Sequence, residues 1–225
     1  MKKALHFAFA FLLFTTAVNA QITKGDLFLG GTVGYSQGNA KNTNDYFSGV
    51  PTKQRAFTIT PAIGKVIRTN LVLGVQANIL TQNQTYENYA ANNQVTKFKN
   101  ENYGGGVFLR KYVPLGKNFY FFGQGISEYN VFKSSQILNI NQAYIKGNGW
   151  SINVSAYPGL AYAITKKFHI ETGFYNLVMI GYSHSNVENK NFNTGTISSS
   201  KGNSFNFSTS LATNGGFGVG FRLLL

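Results

Sequence analysis

Between 150 and 164 the chain alternates. Trp150, Ile152, Val154, Ala156, Pro158, Leu160, Tyr162 and Ile164 take the even positions, and Ser151, Asn153, Ser155, Tyr157, Gly159, Ala161 and Ala163 the odd ones. A period of two marks a strand with one greasy face and one small or polar face. The last segment repeats the pattern: Phe205, Phe207, Leu211, Phe217, Val219, Phe221, Leu223 and Leu225 alternate with Asn206, Ser208, Ser210, Asn214, Gly216, Gly218, Gly220 and Arg222. Shorter versions run through Leu27, Leu29, Val33 and Tyr35, through Phe57, Ile59 and Ile63, and through Leu71, Leu73, Val75 and Ile79. Tyr103, Val107 and Leu109 against Gly104, Gly106 and Arg110 give a fourth strand, and Phe168, Ile170 and Phe174 against His169, Glu171 and Gly173 a seventh. The fifth, from 118 to 133, is apolar on both parities; its faces are unassigned and Glu128 has no predicted side.

Tight connections rich in turn formers separate these strands at 68–70, 114–118 and 165–167, recurring at intervals of about fifty residues. Between them lie polar stretches near 38–53, 84–99, 134–148 and 185–203, dominated by Asn, Gln, Ser, Thr and Lys and predicted to be long loops. Each unit is then a hairpin, and four hairpins make eight strands. A soluble sandwich or a lipocalin-like barrel would turn its large apolar side chains inward. Here the polar face is rich in Gly, Ser and Asn, too small and too wet for a hydrophobic core. Turning the greasy face outward solves this, because a closed barrel in lipid pairs every backbone N–H and C=O. The predicted fold class is all-β, a transmembrane antiparallel up-and-down β-barrel of eight strands with short periplasmic turns and long extracellular loops.

The first residues carry an address. Lys2 and Lys3 precede an uncharged apolar run, and Val18-Asn19-Ala20 offers the small residues that signal peptidase requires before Gln21. The run is shorter than the roughly 20 residues a membrane-spanning helix needs. Residues 1–20 are therefore predicted to be a cleaved signal peptide and 21–225 the barrel domain. Composition narrows the picture further: with 15% aromatics and only 12% charged residues the chain is not of the disordered class, and with no Cys it has neither a disulfide framework nor a thiolate metal site.

On these residues the chain resembles the small eight-stranded outer-membrane β-barrels of the OmpA and OmpX type, in the broad porin-like outer-membrane barrel family of Gram-negative bacteria. The resemblance is carried by the cleavage region at 18–21, by Pro114-Leu115-Gly116-Lys117-Asn118-Phe119, by Pro158-Gly159-Leu160-Ala161-Tyr162 running into Thr165-Lys166-Lys167-Phe168, and by the terminal strand. It implies residence in the outer membrane and insertion by the barrel-insertion machinery. Such proteins often end in Phe or Tyr; this chain ends in Leu225, which keeps the outward parity.

Eight strands leave an interior that side chains nearly fill. By parity Arg110, Glu171 and Arg222 point inward with His169 beside them, and opposite charges buried together must pair. They are the candidate lumen network: a structural plug, or the lining of a polar path for ions or small solutes. A lipid-modifying Ser–His enzyme would draw on Ser155 and His169, but His169 falls next to a short turn, far from the outer leaflet, and His184 starts a polar stretch, so no enzymatic activity is expected. Asp26, Asp45, Glu87, Glu101 and Glu188 lack metal-ligand spacing, and the 216–220 glycine pattern has no helix to follow it, so neither a metal nor a cofactor is expected. The basic residues Lys41, Lys53, Arg55, Lys97, Lys99, Lys133 and Lys146 fall on the long-loop side, where anionic lipopolysaccharide could meet them. Expected partners are outer-membrane lipids, lipopolysaccharide and an unidentified host or cell-surface ligand; nucleic acid is not among them.

Overall fold

The computed structural model describes residues 22–42, 50–88, 94–138, 143–174, 177–209 and 217–225. The predicted leader lies outside them, as do Asp45, Leu211, Asn214 and Gly216. Ten antiparallel strand segments form one sheet: β1 (Leu27–Asn42), β2 (Val50–Arg68), β3 (Leu71–Asn88), β4 (Gln94–Pro114), β5 (Phe119–Leu138), β6 (Ala143–Ala163), β7 (Phe168–Phe174), β8 (Val178–Asn191), β9 (Ile197–Thr209) and β10 (Phe217–Leu224). Each of β1 to β6 pairs with its neighbour in sequence, β6 pairs with β7, β7 with β10, and β10 returns to β1. The pairings thus close on themselves through eight positions.

The described residues of the seventh and eighth staves fall into two segments each. β7 lies against Gly159–Ala163 of β6, and β8 takes over against Ala143–Ala156. β9 runs back along β8, and β10 along β7. Of the terminal strand expected from the alternation, the structure describes the parts Ile197–Thr209 and Phe217–Leu224; Ser210, Leu211, Asn214 and Gly216 lie outside the described residues.

A second difference concerns the polar stretches. Their described residues are largely strand: β1 and β2 stay paired as far as Asn42 and Val50, β3 and β4 as far as Asn88 and Gln94, and β5 and β6 as far as Leu138 and Ala143. The cause is physical. Hydropathy alternation reports a lipid-facing surface, whereas the backbone ladder needs only a neighbouring strand, and Asn, Thr and Lys side chains tolerate a wet pleat on both faces. At about 3.3 Å per residue and a tilt near 40°, the 21 residues of β4 rise by roughly 50 Å, about twice a 25 Å apolar band. The staves project well past the membrane.

Parity assigns the fifth strand as well. Odd residues of β5 face out and even ones face in. The exterior presents Val75, Val107, Phe121, Val131, Val154 and Leu160 among many exposed apolar side chains. The interior at the end carrying the short turns is not small and wet, as its sequence suggested. It holds Phe28, Val66, Val72, Phe108, Tyr112 and Phe122, each 1% exposed or less. Glycines make the room: Gly74 stands opposite Phe108 and Gly159 opposite Phe122. A Cβ at Gly74 would lie 2.6 Å from the Phe108 ring, and one at Gly159 would strike the Phe122 ring.

The turn end is stapled by Asn70, the one described non-glycine residue with positive φ, at 61°. Asparagine tolerates this left-handed geometry better than most residues. Its Oδ1 accepts the Ile22 N–H at 2.8 Å, and its own N–H donates to the Ile22 carbonyl at 3.0 Å. Ile22, 2% exposed, is thereby held under the barrel mouth.

Candidate functional site

The inward faces of β4, β7 and β10 each bring one charge to the same level of the lumen. Alternation places Arg110 two residues from Tyr112 on β4, Glu171 two residues from His169 on β7, and Arg222 two residues from Leu224 on β10. Register then sets Arg222 opposite His169 and Gly220 opposite Glu171, so the two strands interleave their inward side chains. Gly30 faces Arg222 across β1, and a Cβ there would collide with the arginine Cδ.

Arg110 Nη1 donates to both oxygens of Glu171, at 2.8 and 2.6 Å, and the Tyr112 hydroxyl donates to Oε1 at 2.6 Å. Arg222 Nε lies 3.0 Å from Glu171 Oε2, but its N–H is not aimed at that oxygen. The pair is a charge contact, and the directed bonds of Arg222 go instead to the carbonyls of Gly31 and Phe221, at 2.9 and 2.8 Å. Aromatic faces complete the enclosure: the Arg110 guanidinium sits 4.3 Å from the Phe122 ring centroid, and both arginines sit 5.3 Å from that of Phe28. Arg110, Glu171 and Arg222 are all 3% exposed or less. A cation over an aromatic face, paired with a carboxylate and hydrogen-bonded, is how an arginine is kept charged away from bulk water.

Of the four predicted lumen residues, three form this cluster. His169 belongs to the layer below, stacked on Tyr120 with ring centroids 5.4 Å apart. Sequence reasoning missed four members. Arg110 Nε donates to Gln124 Oε1 at 2.6 Å, Gln124 Nε2 to Gln76 Oε1 at 3.2 Å, and Gln76 Nε2 to Glu128 Oε1 at 3.0 Å. This relay ties the cluster's surplus positive charge to a second carboxylate. Tyr112 caps it from the other side. Gln124 and Glu128 lie on the strand whose faces the sequence left open; only the strict odd–even exposure of β5 identifies them.

Two cavities flank the layer. One of about 310 Å³ lies on the far side, lined by Thr60, Gln76, Glu128, Ser155, Tyr157 and Arg222 among others. Another of about 670 Å³ opens at the turn end beside Asp26, Lys117, Tyr120, Lys166 and His169. Ser155 and His169 line different cavities, on opposite sides of the charged layer.

The predicted basic residues lie on strands. Lys53 and Arg55 stand on β2, opposite Thr85 and Asn83; Lys97 and Lys99 on β4; Lys133 on β5; and Lys146 on β6. Lys41 stands near the far end of β1, opposite Pro51. Lys53, Arg55, Lys97, Lys99, Lys133 and Lys146 share the outward parity, beyond a belt that includes Tyr35, Phe57, Tyr103, Tyr129 and Tyr182. Trp150 joins that belt, its ring 6.2 Å from Tyr129 and 5.8 Å from Tyr182. Lys99 pairs with Glu101 at 2.8 Å, and that hydrogen bond holds its pKa above the ordinary lysine value.

Comparison with known proteins finds likeness in shape alone. No family model and no curated protein matches the chain. Among solved structures, the outer membrane protein OprG from Pseudomonas aeruginosa superposes with a TM-score of 0.50 at 12% identity, covering 90% of this chain and 97% of that one. A major outer membrane protein from Thermus thermophilus gives 0.48 at 10% identity over 89% and 99%, and Neisserial surface protein A gives 0.35 at 12% over 88% and 96%. With the apolar exterior and the ring of antiparallel strands, the likeness to OprG shows the fold to be that of a small outer-membrane β-barrel.

Proposed function

We propose that the chain is a non-enzymatic barrel of the outer membrane, sealed across its lumen, whose work is done by the strand surfaces that project beyond the bilayer. One observation carries this reading: Arg110, Glu171 and Arg222, reaching in from three staves, meet in a buried layer backed by Phe28 and Phe122. A solute passing from one flanking cavity to the other must part a charge cluster in which every member has a partner. The separation of Ser155 from His169 by that layer supports the absence of hydrolytic chemistry.

A conduit is the second reading, favoured by the cavities on either side of the layer. Planar-bilayer recording of the refolded protein tests both. Silence in the wild type and in Arg110→Ala and Arg222→Ala supports the sealed barrel. Steady current in the wild type that changes in the arginine variants overturns it in favour of the conduit.

A further inference from the structure

Resting on the reading that the projecting surface is the working part, we infer that the outward face of β4, β5 and β6 holds the phosphate of an outer-leaflet glycolipid in a cleft formed by Lys99, Lys133 and Lys146. Register builds this cleft. Lys99, Ser135 and Lys146 lie in one row across the three strands, and Glu101, Lys133 and Asn148 in the next row toward the membrane. Below them runs the row Tyr103, Val131 and Trp150. Rows are two residues apart, so the ammonium groups begin roughly 7 Å above the aromatic belt, where a lipid passes from acyl chain to headgroup.

The cleft has a volume of about 350 Å³ and contains four side chains charged at neutral pH: the three lysines and Glu101. Its surplus of two positive charges complements a phosphate monoester, which carries about −1.5 to −2 at pH 7. Among the described residues only Lys99 of the three is held in an ion pair. The hydroxyl of Ser135, in the same row and between two of the lysines, adds a neutral donor. A soluble polyanion would find charge here but no use for the apolar row beneath it. A phosphorylated lipid uses both, which is why the occupant is assigned as the lipid.

Trp150 is the sole tryptophan of the chain and lies directly under the cleft, so its emission reports occupancy. The probe is a bisphosphorylated glucosamine lipid, with its dephosphorylated form as control, titrated into phosphatidylcholine vesicles carrying the refolded full-length mature protein. The expected result is a saturable shift in Trp150 emission with the phosphorylated lipid that weakens by about tenfold or more in Lys99→Gln/Lys133→Gln/Lys146→Gln. Lys117→Gln/Lys166→Gln/Lys167→Gln removes the same charge from the turn end and should leave the titration unchanged. Because all six lysines are exposed, both variants should refold, and heat-modified migration on a gel verifies that they do. Equal binding of the dephosphorylated lipid, equal loss in the turn-end variant, or no loss in the cleft variant would each overturn the site. So would lysine-dependent binding of a soluble sulfated polysaccharide without any response to the lipid. None of these outcomes bears on whether the lumen conducts, so the sealed-barrel reading stands or falls separately.

Discussion

Among the described residues Glu171 is the only carboxylate in direct contact with the two buried arginines, and it accepts a tyrosine hydroxyl as well. Replacing it by alanine leaves two buried cations with no counter-ion in the layer, a change that costs on the order of 3–5 kcal/mol when a buried pair is broken from one side. Glu171→Ala is expected to lower the temperature at which the folded, fast-migrating form converts on a gel; unchanged conversion would remove Glu171 from the structural network. Asn70 makes a different case, since its side chain and its backbone both hold Ile22 while its φ lies where few residues rest. Asn70→Ala loses one buried hydrogen bond and keeps the left-handed strain, for a loss of roughly 1–3 kcal/mol. Asn70→Gly relieves the strain and keeps only the backbone bond, so it should fall between alanine and wild type in urea unfolding from micelles. An ordering with glycine below alanine would mean that the turn does not depend on left-handed geometry.

Strands differ in how many neighbours hold them, and that difference should be measurable. Each of β2 to β5 has a partner on both sides along most of its length, whereas among the described residues β9 pairs with β8 alone and its residues are largely exposed. Trypsin acting on the folded protein is expected to cut first at Lys201 on β9, ahead of Lys97, Lys99, Lys133 and Lys190, which lie inside doubly paired ladders. A first cut in β4 or β5 would show that the polar extensions open as loops after all. Those extensions are also where the sequence is hardest to read. Val107 and Leu109 announce a strand because lipid demands apolar side chains there; Lys97 and Asn100 do not, since outside the bilayer the same ladder makes no demand on hydropathy. The lumen was legible by the same logic in reverse. Arg110, Glu171 and Arg222 stand out as charges on alternating strands, while Gln124 and Glu128 were hidden on a strand whose inward face carries Tyr120, Phe122 and Ile126 and so looks as greasy as its outer face. Gly74 and Gly159 looked like lumen space and turned out to be seats for aromatic rings. Whether a glycine marks space or a seat depends on its cross-strand partner, and register is invisible in one sequence.

For the barrel as a whole, the charged layer fixes not only whether solute passes but which sign of ion a breached lumen would favour. Two arginines stand there against Glu171, and the amide relay extends the balance to Glu128 on the far side. Substitutions at this constriction therefore leave opposite fields behind. With Arg110→Ala/Arg222→Ala, two carboxylates remain, Glu171 and Glu128, and any current through the gap should favour cations. With Glu171→Gln both arginines remain near a single distant carboxylate, so any current should favour anions, provided the barrel still folds. Low-dielectric walls focus such fields, so one net charge at a narrow level suffices to set the sign. Reversal potentials in a potassium chloride gradient distinguish the cases: the two variants should deviate from zero in opposite directions. Deviations of the same sign would place the controlling charges elsewhere, on the lysine-rich outer staves or at the turn-end mouth beside Lys117 and Lys166.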